Sequence, residues 1–379
     1  MLDEAVVASP ELMRQAVVES LSRQGFRIQD GAISPPDQSS KEHLRELHAE
    51  AVQHQRERSR AGLERHEEEL LRRIANGDEV EPGGIKPRIS LVHAGTEDER
   101  LFRWCRLHWS IPTSAGYGRR LRFLVSDESN GKVMGLIGLS DPVYALGSRD
   151  AWIGWDGPAK REGLRQVMDA FVLGAVPPYN TLLAGKLIAM LVTSSEVQAT
   201  YLDRYSEVQG RISGRVHGRS LALITTTSAL GRSSVYNRLR YRDRVIATSV
   251  GFTSGSGDFQ FANGLYDSLV AYAQVHCVPT AKHDKWGKGF RNRREVVKKA
   301  LTHLGLGDAL LYHGVKREVF VFPLGTNCQA ALCGEDALQA YDISVDELSR
   351  FWTGRWLVPR ASRNPEYRDF RRESWRLWH

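Results

Sequence analysis

The segment Gly174–Leu191, GAVPPYNTLLAGKLIAML, constrains the fold of this chain more than any other stretch. Two prolines hold the backbone extended, a polar turn follows, and a run of helix-forming residues comes next. The first amides of a helix have no partner inside the helix and carry partial positive charge, so such a turn can hold an anion. The segment predicts a strand, a turn and a helix, with Asn180, Gly185 and Lys186 as candidate phosphate ligands.

A purely structural role is the alternative for the same segment, and its side chains favour it. The apolar residues between Leu182 and Leu191 suit a helix that is buried against a sheet. The segment is not a P-loop, because Leu187 stands where that motif has serine or threonine. We therefore expect this segment mainly to bury its helix against the sheet, and ligand binding at the turn remains the alternative.

Composition predicts a globular protein. The chain has 379 residues, of which 41% are hydrophobic and 26% charged, so a large core and two domains are expected. No apolar run reaches the length of a membrane span, and the first residues carry acids without an apolar signal core. We expect a soluble cytoplasmic protein without a membrane partner. Four cysteines without a second pair at zinc spacing predict free thiols and no metal site.

The net charge of +7 is concentrated in one block. Lys282–Lys299, KHDKWGKGFRNRREVVKK, contains eight Lys or Arg residues and two acidic residues. Such a block is typical of nucleic-acid contacts, and its two aromatic residues can stack on bases. A solvated basic loop is the equally weighted alternative. The candidate nucleic-acid ligands are Lys285, Trp286, Lys288, Arg291, Arg293 and Arg294.

Three regions follow from changes in composition along the chain. Residues 1–81 are predicted to form a helical arm, in which capped helices flank the break ISPPDQSS. Residues 82–335 alternate between strands and helices, and Asn130-Gly131 predicts a hairpin. Residues 336–379 form a basic tail rich in Trp and Arg. The predicted strands include RISLVHA, LRFLVSD, KVMGLIGLSD, SLALITTTSA, VIATSVGFTS, DFQF and VFVFPLG.

Hydroxyl and guanidinium groups cluster after the threonine-rich strand, in TTTSALGRSSVYNRLRY. The end of a strand that leads into a helix or tight turn is where α/β proteins build sites, and hydroxyls with arginines suit phosphate. A polar loop that caps a helix is the alternative. The candidate ligands in this stretch are Arg232, Ser233, Ser234, Tyr236, Asn237 and Arg238, and Gly255–Gly257 offers a second flexible loop.

Four acids near predicted element ends could serve a metal-dependent nuclease only if they converged on a cation. They are Asp141, Asp150, Asp156 and, in a helix predicted near Lys160–Phe171, Asp169. Each also suits a turn, an ion pair or a helix, and we predict no metal site. No Ser-His-Asp order or G-x-S-x-G elbow is present, and no cofactor is assigned.

Five stretches together resemble the DUF4338 family of DruA-like proteins. They are WSIPTSAGYGRRLRFLVSDESNGKVMGLIGLSDPV, RDAWIGWD, VMDAFVLGAVPPYNTLLAGKLIAML, TTTSALGRSSVYNRLRY and LGLGDALLYHGVKREVFVFPL. The resemblance runs from about residue 10 to residue 335. That family is associated with bacterial defence against phage and with mobile elements. The resemblance implies a defence context with other defence proteins as partners, and it implies no particular chemistry.

The order of the predicted elements also looks like a GNAT-type N-acetyltransferase domain. Those enzymes hold the pyrophosphate of acetyl-CoA with the backbone amides of a [RQ]-x-x-G-x-[GA] turn. The turn aligns with Asn180–Gly185, where Leu183 replaces the first glycine. Tyr236 aligns with a tyrosine that these enzymes often carry near the thioester. We therefore expect a GNAT-like α+β fold with a mixed, largely antiparallel sheet, without inferring the activity.

These observations predict a component of anti-phage defence that contacts nucleic acid or a phosphate-bearing ligand. Two alternatives stay open, an acyltransferase of the GNAT type and a transposon-associated accessory protein that acts through protein partners.

Overall fold

The computed structural model describes residues 9–29, 31–35, 40–113, 118–207, 220–280, 289–290 and 292–379. The strands are β1 Arg27–Gln29, β2 Ala32–Ser34, β3 Pro87–Leu91, β4 Arg120–Asp127, β5 Lys132–Ser140, β6 Val167–Ala175, β7 Leu223–Thr227, β8 Arg240–Tyr241, β9 Arg244–Val245, β10 Thr248–Phe252 and β11 Glu318–Pro323. The helices are α1 Pro10–Arg23, α2 Lys41–Leu63, α3 Glu67–Leu71, α4 Glu97–Cys105, α5 Gly147–Ile153, α6 Gly157–Gly163, α7 Ala184–Leu191, α8 Ser195–Tyr205, α9 Leu265–His276, α10 Arg293–His303, α11 Cys328–Cys333, α12 Val345–Trp352 and α13 Val358–Arg363.

Seven of these strands form the main sheet of the described chain, in the order β10-β11-β7-β6-β5-β4-β3. Neighbouring strands are antiparallel except for β6 and β7, which are parallel. The prediction of a mixed, largely antiparallel sheet with flanking helices is confirmed. The sheet also explains why the chain needs a long crossover through α7 and α8, since parallel neighbours cannot be joined by a tight turn.

The hairpin of β4 and β5 forms at the predicted Asn130-Gly131 joint. Gly131 has φ of 71°, in the left-handed region that glycine adopts without steric cost. The Asn130 side chain accepts a hydrogen bond from the Lys132 amide at 2.9 Å and donates one to the Tyr179 hydroxyl at 2.8 Å. The hairpin is thereby tied to the segment that follows β6.

Because β6 and β7 are parallel neighbours, the two predicted ligand segments that follow them lie at the same end of the sheet, beyond the carboxyl ends of both strands. Met168 pairs with Ile224, and the carboxyl ends of both strands point the same way. The turn of residues 176–183 follows β6, and the loop of residues 228–239 follows β7. Such an edge is where sheets with parallel strands commonly build sites.

The described part of residues 1–81 shares its hydrophobic cores with elements that come later in the chain. The helix α1, the β1–β2 hairpin and the first half of α2 share a hydrophobic core with α9 and α10, and we call this group of elements the helical lobe. Leu63, at the end of α2, lies instead in the core formed by α3, α4 and one face of the sheet. Packing therefore crosses the predicted boundary at residue 81, because the apolar faces of α1 and α2 are covered by helices that come much later in the chain.

Residues 336–379, predicted as a basic tail rich in Trp and Arg, contribute buried side chains to two of the cores. The amphipathic helix α12 packs its apolar face on α7 and the sheet, and Trp352 is fully buried there. Trp378 is buried against α3 and α4 at the other side of the sheet.

Two local expectations are corrected by the structure, and a third is resolved by it. Phe259–Phe261, predicted as a strand, is a short 3-10 helix, because Phe261 is buried among the helices of the helical lobe and pairs with no strand. The stretch SSVYNRLRY, expected to begin a helix or a tight turn, forms turns at residues 234–238 and then β8. Asp169 lies on β6 and not in a helix, because α6 ends at Gly163 and the sheet begins at Val167.

No helix in the described part of the chain has both the length and the apolar composition that a bilayer crossing requires.

Candidate functional site

The structure brings together the turn after β6 and the loop after β7. The Lys186 ammonium donates a hydrogen bond to the Val235 carbonyl at 3.3 Å. A Cβ atom placed on Gly185 would lie 3.7 Å from the Val235 side chain. The two groups of predicted phosphate ligands are therefore neighbours at one edge of the sheet, on the face that α7 covers.

The amides of the turn donate mostly to carbonyls of the turn itself. Leu182 and Ala184 both donate to the Tyr179 carbonyl at 3.1 Å, and Leu183 donates to Asn180 at 3.2 Å. The Lys186 amide donates to the Leu183 carbonyl at 3.0 Å. Amides that are paired in this way do not point at a ligand, so this geometry favours the packing interpretation of the turn. Asn180 is exposed at its tip.

C-terminal residues cover the turn, and sequence reasoning did not anticipate them. The Trp352 indole donates to the Leu183 carbonyl at 3.1 Å, and Arg360 donates to the Thr181 carbonyl at 3.0 Å. The Lys186 ammonium lies 5.6 Å from the centre of the Trp356 ring, and burial lowers its pKa. The Lys186 ammonium is thus already engaged by the Val235 carbonyl and the Trp356 ring. The sequence did contain a signal for this helix: Val345, Leu348 and Trp352 follow the capping residue Ser344 at helical spacing, which indicates an amphipathic helix.

The loop after β7 divides into inward and outward residues. The Ser233 hydroxyl accepts hydrogen bonds from the amides of Val235 at 3.2 Å and Tyr236 at 3.1 Å. The Tyr236 ring packs edge-on against Phe320 and Phe322, and burial raises its pKa. Ser233 and Tyr236 therefore shape the loop.

The outward residues of this loop are Arg232, Ser234, Asn237 and Arg238, all of which are exposed. Neither Arg232 nor Arg238 forms an ion pair with any described residue. Arg238 has φ of 61°, the left-handed conformation that a non-glycine residue rarely adopts. The loop thus presents two guanidinium groups that pair with no carboxylate in the described part of the chain, with hydroxyl and amide groups between them.

The four predicted carboxylates do not converge. Asp141 pairs with Arg119 at 2.6 Å, Asp150 pairs with Arg149 and Lys160, each at 2.7 Å, and Asp156 caps α6. No group of three or more potential metal ligands occurs among the residues that the structure describes.

Asp169 differs from the other three, since burial raises its pKa to about 6 although the Thr225 hydroxyl donates to it at 2.8 Å. No group of three or more potential metal ligands includes Asp169 in the described part of the chain, so the carboxylates of a two-metal centre are not assembled around it.

Part of the predicted nucleic-acid block lies outside the described residues, namely Lys285, Trp286, Lys288 and Arg291. The described part begins α10. Arg293 pairs with Asp258 at 2.7 Å and stacks on the Tyr266 ring at 3.9 Å, so it is tied to the body. Arg294 donates to the Ser256 hydroxyl at 2.8 Å and is exposed.

The helix α10 has one apolar and one basic face. Val296, Val297, Ala300 and Leu301 are buried in the helical lobe. On the opposite side Arg294 and Lys298, four residues apart, are exposed, and Lys298 pairs with Asp308 at 3.0 Å. An open groove of about 650 Å³ runs beside them to the end of α9. Its lining includes Arg294, Lys298, Lys299, His276, Cys277 and Val278.

Comparison with known proteins gives two matches. A sequence model of one protein family, described as Druantia protein DruA, matches residues 38–334. A curated relative, Druantia protein DruA of Escherichia coli strain UMEA 4076-1, is 41% identical over 360 residues, which cover 94% of this chain and 89% of the relative. No solved structure matches the chain significantly.

Proposed function

Because this chain belongs to the DruA family, we propose that it is a component of bacterial anti-phage defence. We further propose that it contacts nucleic acid, and that it works with other proteins of a defence system. A transposon-associated accessory protein that acts through protein partners is the alternative. The basic face of α10, which continues the charged block of the sequence, is the observation that carries the nucleic-acid proposal.

Charge placement supports this proposal. The inner face of α10 is apolar and anchored, so Arg294 and Lys298 are presented on a fixed helix rather than on a free chain. The exposed pair of Lys298 and Asp308 contributes little to stability, and a polyanion can replace Asp308 as the partner. Helix side chains at i and i+4 lie on the same side, a spacing that suits neighbouring phosphates.

The test is the double variant Arg294→Gln with Lys298→Gln, titrated with single-stranded and double-stranded oligonucleotides at several salt concentrations. We expect weaker binding and a salt dependence whose log–log slope falls by about 0.7–0.9 for each phosphate that the variant no longer neutralises. Fluorescence anisotropy of a labelled oligonucleotide measures both quantities.

A matched control separates this effect from a loss of net charge. Arg88→Gln with Arg363→Gln removes the same two charges from exposed positions on β3 and α13. We expect the control to keep most of the affinity and the full slope. Equal losses in the two double variants would mean that net charge, not the α10 face, drives binding.

We also propose that the exposed residues Arg232, Ser234, Asn237 and Arg238 contact a phosphate-bearing ligand. Two observations support this proposal. The guanidinium groups of Arg232 and Arg238 have no ion-pair partner in the described chain, and they lie beside exposed hydroxyl and amide groups in the loop that follows the carboxyl end of β7. A guanidinium binds phosphate through two parallel hydrogen bonds, so an unpaired arginine on a loop is suited to this ligand.

A GNAT-like fold with acyltransferase activity is the second candidate, and one observation favours it. Leu183 has φ of 60°, so the position that aligns with the first glycine of the acetyl-CoA turn has a glycine-like backbone conformation. The internal hydrogen bonds of the turn, and its cover of Trp352 and Arg360, weigh against an open cofactor site. Calorimetric titration with acetyl-CoA tests this candidate, since an enzyme of this type must bind its cofactor.

A further inference from the structure

The groove beside α10 combines apolar surface with positive charge. Its volume of about 650 Å³ lies in the range of sites that hold a small ligand. The chain at the end of α9 contributes His276, Cys277 and Val278, and the apolar Val278 side chain is exposed to solvent there. A ligand that fills the groove therefore needs both an apolar and an anionic part, because α10 contributes Arg294, Lys298, Lys299, Thr302 and His303.

Contacts between α10 and the chain that follows α9 fix the shape of the groove. The Lys299 ammonium donates a hydrogen bond to the Val278 carbonyl. The Thr280 amide donates to the Glu295 carboxylate at 2.8 Å, and the Lys299 ammonium lies 4.0 Å from the same carboxylate. The walls are thus held in place by the protein, and a cation next to the acid of the lining offsets its charge.

His276 carries an unmet hydrogen-bonding group beside the groove. Its Nε2 atom is buried and has no hydrogen-bond partner among the described residues. The ring centre lies 4.4 Å from that of Tyr272 and 5.5 Å from that of His303, so packing sets the position of the ring. Buried polar atoms are nearly always paired, and an imidazole nitrogen either donates or accepts. The arrangement indicates a partner that the described residues do not supply, such as the polar edge of a planar ring.

The α10 side of the groove presents two cations and a hydroxyl at successive helical turns. Arg294, Lys298 and Thr302 are four residues apart, so they lie on one side of the helix. Arg294 donates to the Ser256 hydroxyl at 2.8 Å, and Lys298 pairs with the exposed Asp308 at 3.0 Å. Such surface contacts contribute little to stability, so a phosphate can replace them.

We propose that this groove holds a nucleotide unit, with the base against Cys277 and Val278 and the phosphate at Arg294 and Lys298. The polar edge of the base supplies the partner that the His276 Nε2 atom lacks. The inference rests on the proposed function and deepens it, because it assigns base contacts to a surface proposed above for phosphates alone. A free nucleotide presents the same groups, so the experiments distinguish a polynucleotide from a mononucleotide.

The first test separates base binding from phosphate binding. Oligothymidylate and an abasic oligodeoxynucleotide of equal length carry the same phosphates, and each is labelled and titrated with the protein at several salt concentrations. We expect the wild type to bind oligothymidylate about tenfold more tightly than the abasic strand, since contact with a single base is worth at least that much.

Three variants assign the two effects to their residues. His276→Ala should lose most of the preference for oligothymidylate and keep the salt dependence, since no phosphate contact is removed. The double variant Arg294→Gln with Lys298→Gln should show the reverse, a lower salt slope with the preference retained. His66→Ala, at a half-buried histidine between α2 and α3, is the matched control and should keep both.

The second test uses the wild-type protein and so does not depend on how a variant folds. Cys277 lines the groove, whereas Cys333, which is also half-buried, lies at the end of α11. Alkylation of both thiols by N-ethylmaleimide is followed by peptide mass spectrometry, with and without oligothymidylate or thymidine monophosphate. We expect a bound nucleotide to slow the reaction of Cys277 severalfold and to leave that of Cys333 unchanged.

The outcomes distinguish this inference from the proposed function. Equal affinity for the two oligonucleotides, with no protection of Cys277, overturns the groove and leaves the phosphate contacts of α10 standing. Protection by thymidine monophosphate without oligonucleotide binding supports a mononucleotide site and contradicts the nucleic-acid function. A base preference that His276→Ala retains, together with a lower Tm, would show that His276 only packs the helix ends and would overturn its assignment.

Discussion

Glu67 is the first of three consecutive glutamates, and its side chain is buried whereas its two neighbours are exposed. Its carboxylate accepts hydrogen bonds from the Trp104 indole at 3.0 Å and from the amides of Leu377 at 2.8 Å and Trp378 at 3.3 Å. One acid thus joins α3, α4 and the C-terminal residues. Nothing in a run of charged residues distinguishes this position, because its partners lie far away in sequence.

The variant Glu67→Gln should lower the free energy of unfolding by about 1–3 kcal/mol. Glutamine keeps the shape but replaces one acceptor oxygen with a donor that faces N–H groups. Urea unfolding measures the change, and Glu69→Gln, at a side chain that is 64% exposed, is the control. The control should stay within about 0.5 kcal/mol of the wild type. Similar losses in both variants would show that the stability comes from the charge of the acidic run rather than from this buried network.

At the scale of elements, α12 and its extension to Leu357 hold the turn after β6 in place. Trp352 is fully buried in the main core, whereas Trp356 is half-buried above Lys186. We expect Trp352→Ala to lower the free energy of unfolding by about 3–5 kcal/mol, since it leaves a large cavity and frees the Leu183 carbonyl. Trp356→Ala is the matched control and should cost clearly less. Equal costs, measured by urea unfolding, would argue against Trp352 as the anchor of this element.

Short-range signals predicted the elements well where the local chemistry sufficed. Asn130-Gly131 indicated the hairpin because the required backbone conformation is a property of those two residues. The apolar run after Leu182 indicated a buried helix for a similar reason. The helical arm stays a prediction, but its packing partners could not be predicted from the sequence. The helix α1 and the first half of α2 pack on α9 and α10, which come much later in the chain, and periodicity does not identify partners.

The candidate site was predictable only in part. The sequence indicated candidate ligands in two separate segments, one after β6 and one after β7. It did not indicate that these segments are neighbours, which follows from the parallel pairing of β6 and β7. It did not foresee that Trp352 and Arg360 would cover the turn, because they come from a region that looked like a basic tail. Nor did it indicate that the Arg317 guanidinium would lie 3.2 Å from the His48 Nε2 atom, since a single arginine and a single histidine form no pattern in the sequence.

At the scale of the whole molecule, buried histidines make stability depend on pH. Burial lowers the pKa of His48 to about 3 and that of His108 and His313 to about 4, whereas a histidine in the unfolded chain titrates near 6.5. Between the folded and the unfolded pKa of each histidine, the unfolded state binds more protons than the folded state. The stability that each neutral, buried histidine allows is therefore fully present above pH 6.5 and is lost as the pH falls towards 4. Asp169 acts in the opposite direction, because its pKa of about 6 lies above the unfolded value.

Three histidines outweigh one aspartate, so the free energy of unfolding should fall steadily as the pH decreases from 6.5 to 5. His108 tests the cause, since its ring nitrogens face the carbonyls of Cys105 at 3.2 Å and Trp375 at 2.8 Å. In His108→Gln, the slope of unfolding free energy against pH should decrease by up to about 1.4 kcal/mol per pH unit, the value for one proton. Urea unfolding at several pH values measures the slope for each protein. At pH 7.5 the histidine is neutral in the folded and the unfolded state, so the difference in unfolding free energy between the two proteins at this pH gives the cost of altered packing. Parallel curves for the wild type and His108→Gln would show that His108 is not a source of the acid sensitivity.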